Sequence, residues 1–295
     1  MSAPARLNGA GVFVVLVNYR RPDLTEDAVA SLRCCGAPVE IVLVDNGSDD
    51  GSLARLRRSC ADCAVLDAGG NLGFSGGNNV GIRHALAHGA RWILLLNNDT
   101  LVEPGFLAPL LSAAGDHALA TPRIVLADDP SRIWYGGGRV DRARGGFYHE
   151  TDAARAAEAR DVTFASACCL LLPASFFREC GEMDESFFLY YEDAELCLRA
   201  ARNGYRIRYE PASTIRHRVG ASTGGERSAA AIYYGTRNRL ALLARYGFPL
   251  RARVFVVLSR MVHLARAPFR RASWSVVPGL LDVLRGRLGK RGGDS

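Results

Sequence analysis

VFVVLVN at residues 12–18 and VEIVLVD at 39–45 are two near-continuous apolar runs rich in β-branched residues. Between them, Pro22 to Leu32 carries a helical pattern with proline where the first turn tolerates it. Strand, helix, strand is a β-α-β unit. After Asp45 the stretch NGSDDGS (46–52) marks a turn, an Arg-rich helix begins at Leu53, and a strand lies near Val65. A glycine-rich segment then enters a helix near Asn78, and the buried strand WILLLNND (92–99) closes this half at Asp99. Apolar strands alternating with helices imply an α/β fold, with a mostly parallel central sheet and helices on both faces.

Outward from that unit the pattern loosens. From Leu119 come short strands and glycine turns, including Tyr135 to Gly138, then a last apolar strand, SACCLLL, at 166–172. The Ala/Glu/Arg stretch 153–160 reads equally as a short helix or a loop. A helix over Tyr191–Asn203 ends before Gly204, a glycine C-cap, with Ala194, Cys197 and Ala201 on one buried stripe. Residues 250–290 read as two amphipathic helices. One stripe runs through Val254, Val257, Leu258, Met261, Leu264 and Ala265, with Arg253, Arg260 and Arg266 off it; the other runs through Val277, Leu280, Leu281, Leu284 and Leu288.

The 295 residues are enough for one sizeable core with an appendage. The division expected is a catalytic domain over 1–245 and a basic amphipathic helical tail over 246–295. Residues 246–295 hold ten basic and two acidic residues, net +8, and the rest of the chain is at −1. With 36 Arg against one Lys, the arginine excess by itself names no ligand. The basic residues lie among aliphatic stripes with few interleaved aromatics, which argues against nucleic acid. They suit an anionic membrane surface, with packing on the catalytic domain or a homodimer contact as the plainer readings. Eight cysteines, including the adjacent pairs 34–35 and 168–169, do not form a secreted disulfide framework and fit a reducing compartment. No run approaches the roughly 18–20 apolar residues of a membrane span, and no cleavage site follows Val17. The expected location is the cytoplasm, with a peripheral place on the inner face of the plasma membrane if the tail meets lipid.

In open α/β sheets ligands sit beyond the carboxyl ends of strands, which singles out Asn18, Asp45 and Asp99. Asp45 is alternatively an Asx-turn residue. Asp99, after Asn97 and Asn98, can hold a hard cation such as Mg²⁺ or Mn²⁺; its other reading is a cap for the helix after Pro104. GGNLGFSGGNN (69–79), with five glycines ahead of a helix, suits a diphosphate-facing loop, and is neither a dinucleotide fingerprint nor a P-loop. In FFLYYEDAELCLR (187–199), Glu192 and Asp193 open an amphipathic helix beside Phe187, Phe188, Tyr190 and Tyr191. Acidic residues at a helix start are ordinary, but aromatic walls would raise a carboxylate's proton affinity as a general base requires. Glu195 and Arg199, spaced i,i+4, read as an ion pair. His217, flanked by Arg216 and Arg218, is either structural or a second donor to the cation of Asp99.

In order, VNYRR, VDNGSDDGS, NLGFSGGNN, LLLNNDT, FLYYEDAELCLR and IRHRVGAST resemble the family 2 glycosyltransferases of bacteria, above all their rhamnosyltransferase-like branch, across about residues 11–240. The ordered set carries the resemblance; no single motif does. It implies a GT-A fold, a nucleotide-sugar donor and inversion at the anomeric carbon. The family's nucleotide-base contact maps onto Asp45, with Asn18 beside it, and Asn71, Asn78 and Asn98 fall where donor contacts are expected. The metal-binding DXD-type position corresponds to Asn97-Asn98-Asp99, which keeps one carboxylate, with His217 as a further ligand for Mg²⁺ or Mn²⁺. Asp193 matches the catalytic base, and Glu192 orients or binds acceptor. Tyr233, Arg237 and Asn238 resemble a downstream family segment, in which Arg237 is either a phosphate contact or a surface arginine.

These implications define an inverting hexosyltransferase that moves a sugar, rhamnose from dTDP-rhamnose favoured, to a glycan or lipid-linked acceptor in cell-surface polysaccharide synthesis. A UDP-sugar is the second donor class. The competing readings are a nucleotidyltransferase, which lacks the glycine-rich signature near the first strand, and a non-catalytic membrane-surface binding protein that keeps the fold.

Overall fold

The computed structural model describes residues 11–36, 38–220, 228–266 and 269–292. The first half alternates as expected: β1 (Val12–Asn18), α1 (Pro22–Cys34), β2 (Val39–Asp45), α2 (Ser52–Ser59), β3 (Ala64–Asp67), α3 (Gly73–Ala87) and β4 (Trp92–Leu96). Pro22 occupies the first turn of α1. There follow β5 (Thr100–Val102), α4 (Leu107–Ala113), β6 (Ala118–Leu126), β7 (Ile133–Tyr135), the hairpin β8 (Gly138–Asp141) and β9 (Gly146–His149), β10 (Arg160–Asp161), β11 (Cys169–Pro173) and α5 (Ala174–Cys180). The chain ends with α6 (Glu192–Arg202), β12 (Arg206–His217), α7 (Ala229–Arg245), α8 (Leu250–Arg266) and α9 (Val276–Leu284).

One large sheet runs β10-β12-β6-β11-β4-β1-β2-β3. The β3-β2-β1-β4 half is parallel; β11 is antiparallel to both β4 and β6, and β12 is parallel to β6. Because successive strand residues face opposite sides, the apolar runs feed two cores. Val12, Val14 and Leu16 of β1 pack with Leu32 of α1 and Leu56 of α2, while Phe13 and Val15 pack with Ile82 of α3 and with residues of α6 and α7. Every residue of β4 is buried, as a strand covered on both faces requires.

Three local expectations need correction. The glycine-rich segment is not a loop ahead of a helix near Asn78: α3 already starts at Gly73, and Gly76, Gly77 and Gly81 lie inside it. A Cβ on Gly77 would sit 2.8 Å from Val17, and one on Gly81 would overlap Val15. The glycines therefore let the helix press onto β1, and that close approach outweighs their poor helix propensity. The strand proposed at 166–172 begins later, at Cys169. Ala201 faces solvent, and the buried stripe of α6 runs through Ala194, Cys197 and Ala200. Residues 153–160, which the sequence leaves open between helix and loop, contain a 3-10 turn at Arg155–Ala157 leading to β10.

The amphipathic helices of the tail are α8 and α9, but most of the first stripe faces outward. Val254, Leu258 and Met261 are exposed, and α8 buries Ala252, Val256 and Leu264. Both helices pack on α7. Among the described residues no helix is long and apolar enough to cross a membrane.

Candidate active site

The ends of β1, β2 and β4 meet in a buried polar chain. Asp45 accepts from Asn18 Nδ2 at 2.8 Å and from the backbone N–H of Ser48 at 2.9 Å, so the Asx turn and the strand-end site are one arrangement. Asn18 Oδ1 accepts from the Thr25 hydroxyl at 2.9 Å, and that hydroxyl accepts from Asn98 Nδ2 at 3.0 Å. Asn18, Thr25, Asp45 and Asn98 are all buried, as a satisfied polar network can be. Asn18 thus bonds at both ends of its amide within the protein. Thr25 carries no signal of this in the sequence, because a threonine in a first helical turn looks ordinary. Asn46, whose amide accepts from Leu72 N–H at 3.0 Å and donates to the Gly73 carbonyl at 3.1 Å, is marked in the sequence only by its place directly after Asp45.

A cleft of about 300 Å³ opens beside this chain, and Asn46, Asn71, Asn78, Asn97 and Asn98 supply its polar lining. Val17, Leu96, Phe74, Phe188 and Leu189 form its apolar walls. Asn71, Asn78 and Asn98 thus line one cleft, whereas Asn18 and Asp45 stand behind its wall. Asn78 donates to the Phe74 carbonyl at 2.9 Å, and Asn71 Oδ1 caps Gly73 N–H at 3.0 Å.

Asp99 does not cap α4. Its Oδ1 lies 3.2 Å from His217 Nε2, and both side chains are buried. They meet because β12 pairs with β5 at His217–Thr100 and with β6 at His217–Leu126, after a register shift between Glu210 and Thr214. Trp134 packs edge-on against the imidazole at 4.5 Å. Burial opposes a charge on His217, but the Cys168 sulfur and the Asp99 carboxylate overcome it and raise its proton affinity well above the usual histidine range. His217 Nδ1 is buried with no hydrogen-bond partner among the described residues. A divalent cation could take the place of the proton between these two side chains, with the Asp99 carboxylate and a neutral His217 imidazole as two ligands and oxygens of a diphosphate and water as the rest. Among the described residues no group of three or more acidic, His or Cys side chains could hold a metal, so such a cation depends on its substrate for ligands.

Glu192 and Asp193 form the first turn of α6, reached through Tyr190 and Tyr191, both left-handed at φ 67° and 70°. Asn238 of α7 fixes that bend, donating to the carbonyls of Leu189 at 2.9 Å and Tyr190 at 2.8 Å. Burial pushes the Asp193 carboxyl up, to about 6, against the backbone N–H groups of Ala194 and Ala167. Glu192 is driven higher still by burial and by Asp193 beside it, and its Oε2 has no partner among the described residues. The Ala167 contact ties Asp193 to the entry of β11, where the Cys168 carbonyl accepts from Asn97 N–H at 2.9 Å. A raised carboxyl of this kind can take a proton from a hydroxyl near neutral pH. Glu195 and Arg199 form the expected ion pair, at 3.0 Å, and Tyr246 donates to Glu195 at 2.7 Å.

Arg237 is neither a surface residue nor open to a phosphate. It is 1% exposed and donates to the Gly289 carbonyl at 2.7 Å, between the rings of Tyr233 and Tyr234. The Ala221–Thr223 part of the last motif lies outside the described residues.

The sequence model named Glycosyl transferase family 2 matches residues 13–181, more than half of the chain and the whole run from β1 to the end of α5. The chain belongs to glycosyl transferase family 2. It is 26% identical over 295 residues to the low-salt glycan biosynthesis hexosyltransferase Agl10 of Haloferax volcanii, covering 95% of this chain and 92% of that one. It is 29% identical over 237 residues to the N-acetylglucosaminyl-diphospho-decaprenol L-rhamnosyltransferase of Mycobacterium tuberculosis, covering 72% of this chain and 77% of the relative. Among solved structures, the Pyrobaculum calidifontis mannosyltransferase PcManGT, in complex with GDP-Man and Mn²⁺, superposes with TM-score 0.58 at 15% identity, over 96% of this chain and 76% of that one. GalNAc-T7 with UDP, GalNAc and Mn²⁺ superposes with TM-score 0.60 at 16% identity, over 79% of this chain and 47% of that one. At those identities the likeness concerns the fold, which is GT-A.

Proposed function

We propose that this family 2 glycosyltransferase inverts an anomeric carbon, moving a sugar from a nucleotide diphosphate to a hydroxyl of a glycan or lipid-linked acceptor on the inner face of the plasma membrane. The observation that carries the reading is the Asp193 carboxyl, raised by burial and held at the head of α6 by the same loop that walls the cleft with Phe188 and Leu189. Asp193 takes the acceptor proton as the oxygen attacks the anomeric carbon, and the bond to the nucleotide diphosphate breaks on the opposite face. Glu192, protonated in its buried place, orients the acceptor. Asp45, held by Asn18 behind the cleft wall, fixes the turn at Ser48 that the nucleotide base would meet, and Asn71, Asn78 and Asn98 line the donor's path. Asp99 and His217 would hold Mg²⁺ or Mn²⁺, which supplies neutralisation of charge on the departing diphosphate. Rhamnose from dTDP-rhamnose is the favoured donor, supported by the rhamnosyltransferase relative. UDP-sugars are the second class.

The test is binding and hydrolysis across a nucleotide-sugar panel with and without Mn²⁺ or Mg²⁺. One donor should bind in a metal-dependent way that Asp99→Ala weakens, and Asp193→Ala should keep binding but lose turnover. Failure of every nucleotide sugar to bind under any metal condition would overturn the transferase reading.

A further inference from the structure

Helix α8 is apolar on two sides, and the larger apolar face points outward. Numbered around its axis at 3.6 residues per turn, Val254, Phe255, Leu258, Met261 and Val262 share one face and all are exposed. The opposite side buries Ala252, Val256 and Leu264, with half-buried Arg253, Arg260 and His263 among them; Arg260 donates to the Gly235 carbonyl of α7 at 3.4 Å, and each of the three basic residues has a buried nitrogen with no hydrogen-bond partner among the described residues. Burial lowers the proton affinity of Arg260. Leaving that much aliphatic surface in water costs free energy, and packing against α7 alone does not relieve it. Helix α9 repeats the outward pattern: Val277, Leu281 and Leu284 face solvent, Leu284 at 83% exposure, while Val276 and Gly279 pack inward.

What covers this face is indicated by charge. Arg251, Arg266, Arg270, Arg271, Arg285 and Arg287 are all exposed around the two apolar stripes, with no exposed carboxylate in α8 or α9. A second copy meeting the same patch through two-fold symmetry would bring these arginines against one another. An anionic bilayer offers both an apolar layer and phosphates for the arginines. Neither helix can cross a bilayer, so both lie along it.

We infer that α8 and α9 together form a docking surface for anionic membrane lipid, with α8's outward stripe set among the acyl chains and the flanking arginines at the headgroups. This deepens the membrane location proposed above and uses none of the donor chemistry. An acceptor anchored in that bilayer would approach the α7–α8 side of the enzyme.

The experiment is flotation of the purified full chain with vesicles of phosphatidylcholine alone and of phosphatidylcholine with phosphatidylglycerol, at low and high salt. Binding should require phosphatidylglycerol and fall as salt rises. Leu258→Glu and Leu284→Glu, both exposed and free to change without disturbing the core, should each weaken vesicle affinity about tenfold while leaving the thermal unfolding midpoint in place. Lack of binding to phosphatidylglycerol vesicles, or unchanged binding in both variants, overturns the inference. So does a wild-type dimer that Leu258→Glu converts to monomer, which would make the face a contact between copies. Donor binding measured on the same samples separates failure here from failure of the transferase reading.

Discussion

At the scale of single residues, Asp193 carries an energetic cost as well as a proposed role. Its folded affinity for a proton is raised from 3.8 to about 6, so the carboxyl favours the folded state while protonated, at low pH. That contribution is lost as pH rises through about 6. Asp193→Asn keeps an oxygen for the Ala194 N–H and removes the buried charge. Turnover should fall by roughly 10²–10⁴-fold, and stability near pH 8 should rise by about 1–3 kcal/mol, read by denaturant unfolding at pH 8 against pH 5. In the native enzyme kcat/KM should climb with pH through about 6; a flat profile would move the base elsewhere. Asp45 and Asp99 could be picked out in the sequence because a polar residue ending an apolar strand has few destinations. The meeting of His217 with Asp99 could not, because it depends on a register shift in β12 that no local pattern announces.

Among elements, α3 shows propensity yielding to packing. Gly81→Ala would drive a methyl into Val15 and should cost about 1–3 kcal/mol. Gly69→Ala meets nothing within 4 Å, but holds φ at +74°, and should cost about 1 kcal/mol for backbone strain alone. Chemical denaturation of the two variants compares them. Asn238→Ala frees the carbonyls of Leu189 and Tyr190, so the left-handed bend ahead of Glu192 relaxes. Its expected signature is a kcat reduced roughly tenfold or more with donor affinity little changed. The sequence made the β-α-β frame and the helical period of the tail readable, since both follow from spacing. It could not say that glycines 73–81 are helical, because the reason lies in Val15, Val17 and Phe188 across the fold. Nor could it say which way α8 faces: period fixes the stripe's angle relative to its own axis, and only α7 fixes the direction.

For the molecule as a whole, we propose that the boundary near residue 245 marks a change of role rather than a break in packing. Asp282 accepts from Tyr233 at 2.7 Å, Gly289 N–H donates to the Ser186 carbonyl at 2.8 Å, and Arg291 N–H donates to the Tyr234 hydroxyl at 2.9 Å. Removing residues 286–295 should leave the sheet folded by circular dichroism yet lower kcat several-fold, because Arg237 then loses one of its acceptors, the Gly289 carbonyl, and the Ser186–Tyr191 loop its strap. Equal kcat in the truncated and full chains would make the strap dispensable. The strap also sets an order in time. Chains emerge from the ribosome N-terminus first, so the sheet, the cleft and the Asp99–His217 pair can form while residues 289–291 are still unmade. The loop ahead of Glu192 and Asp193 receives these hydrogen bonds only when that late segment appears, so a nascent chain that already has its cleft still waits on residues 289–291 to finish the loop.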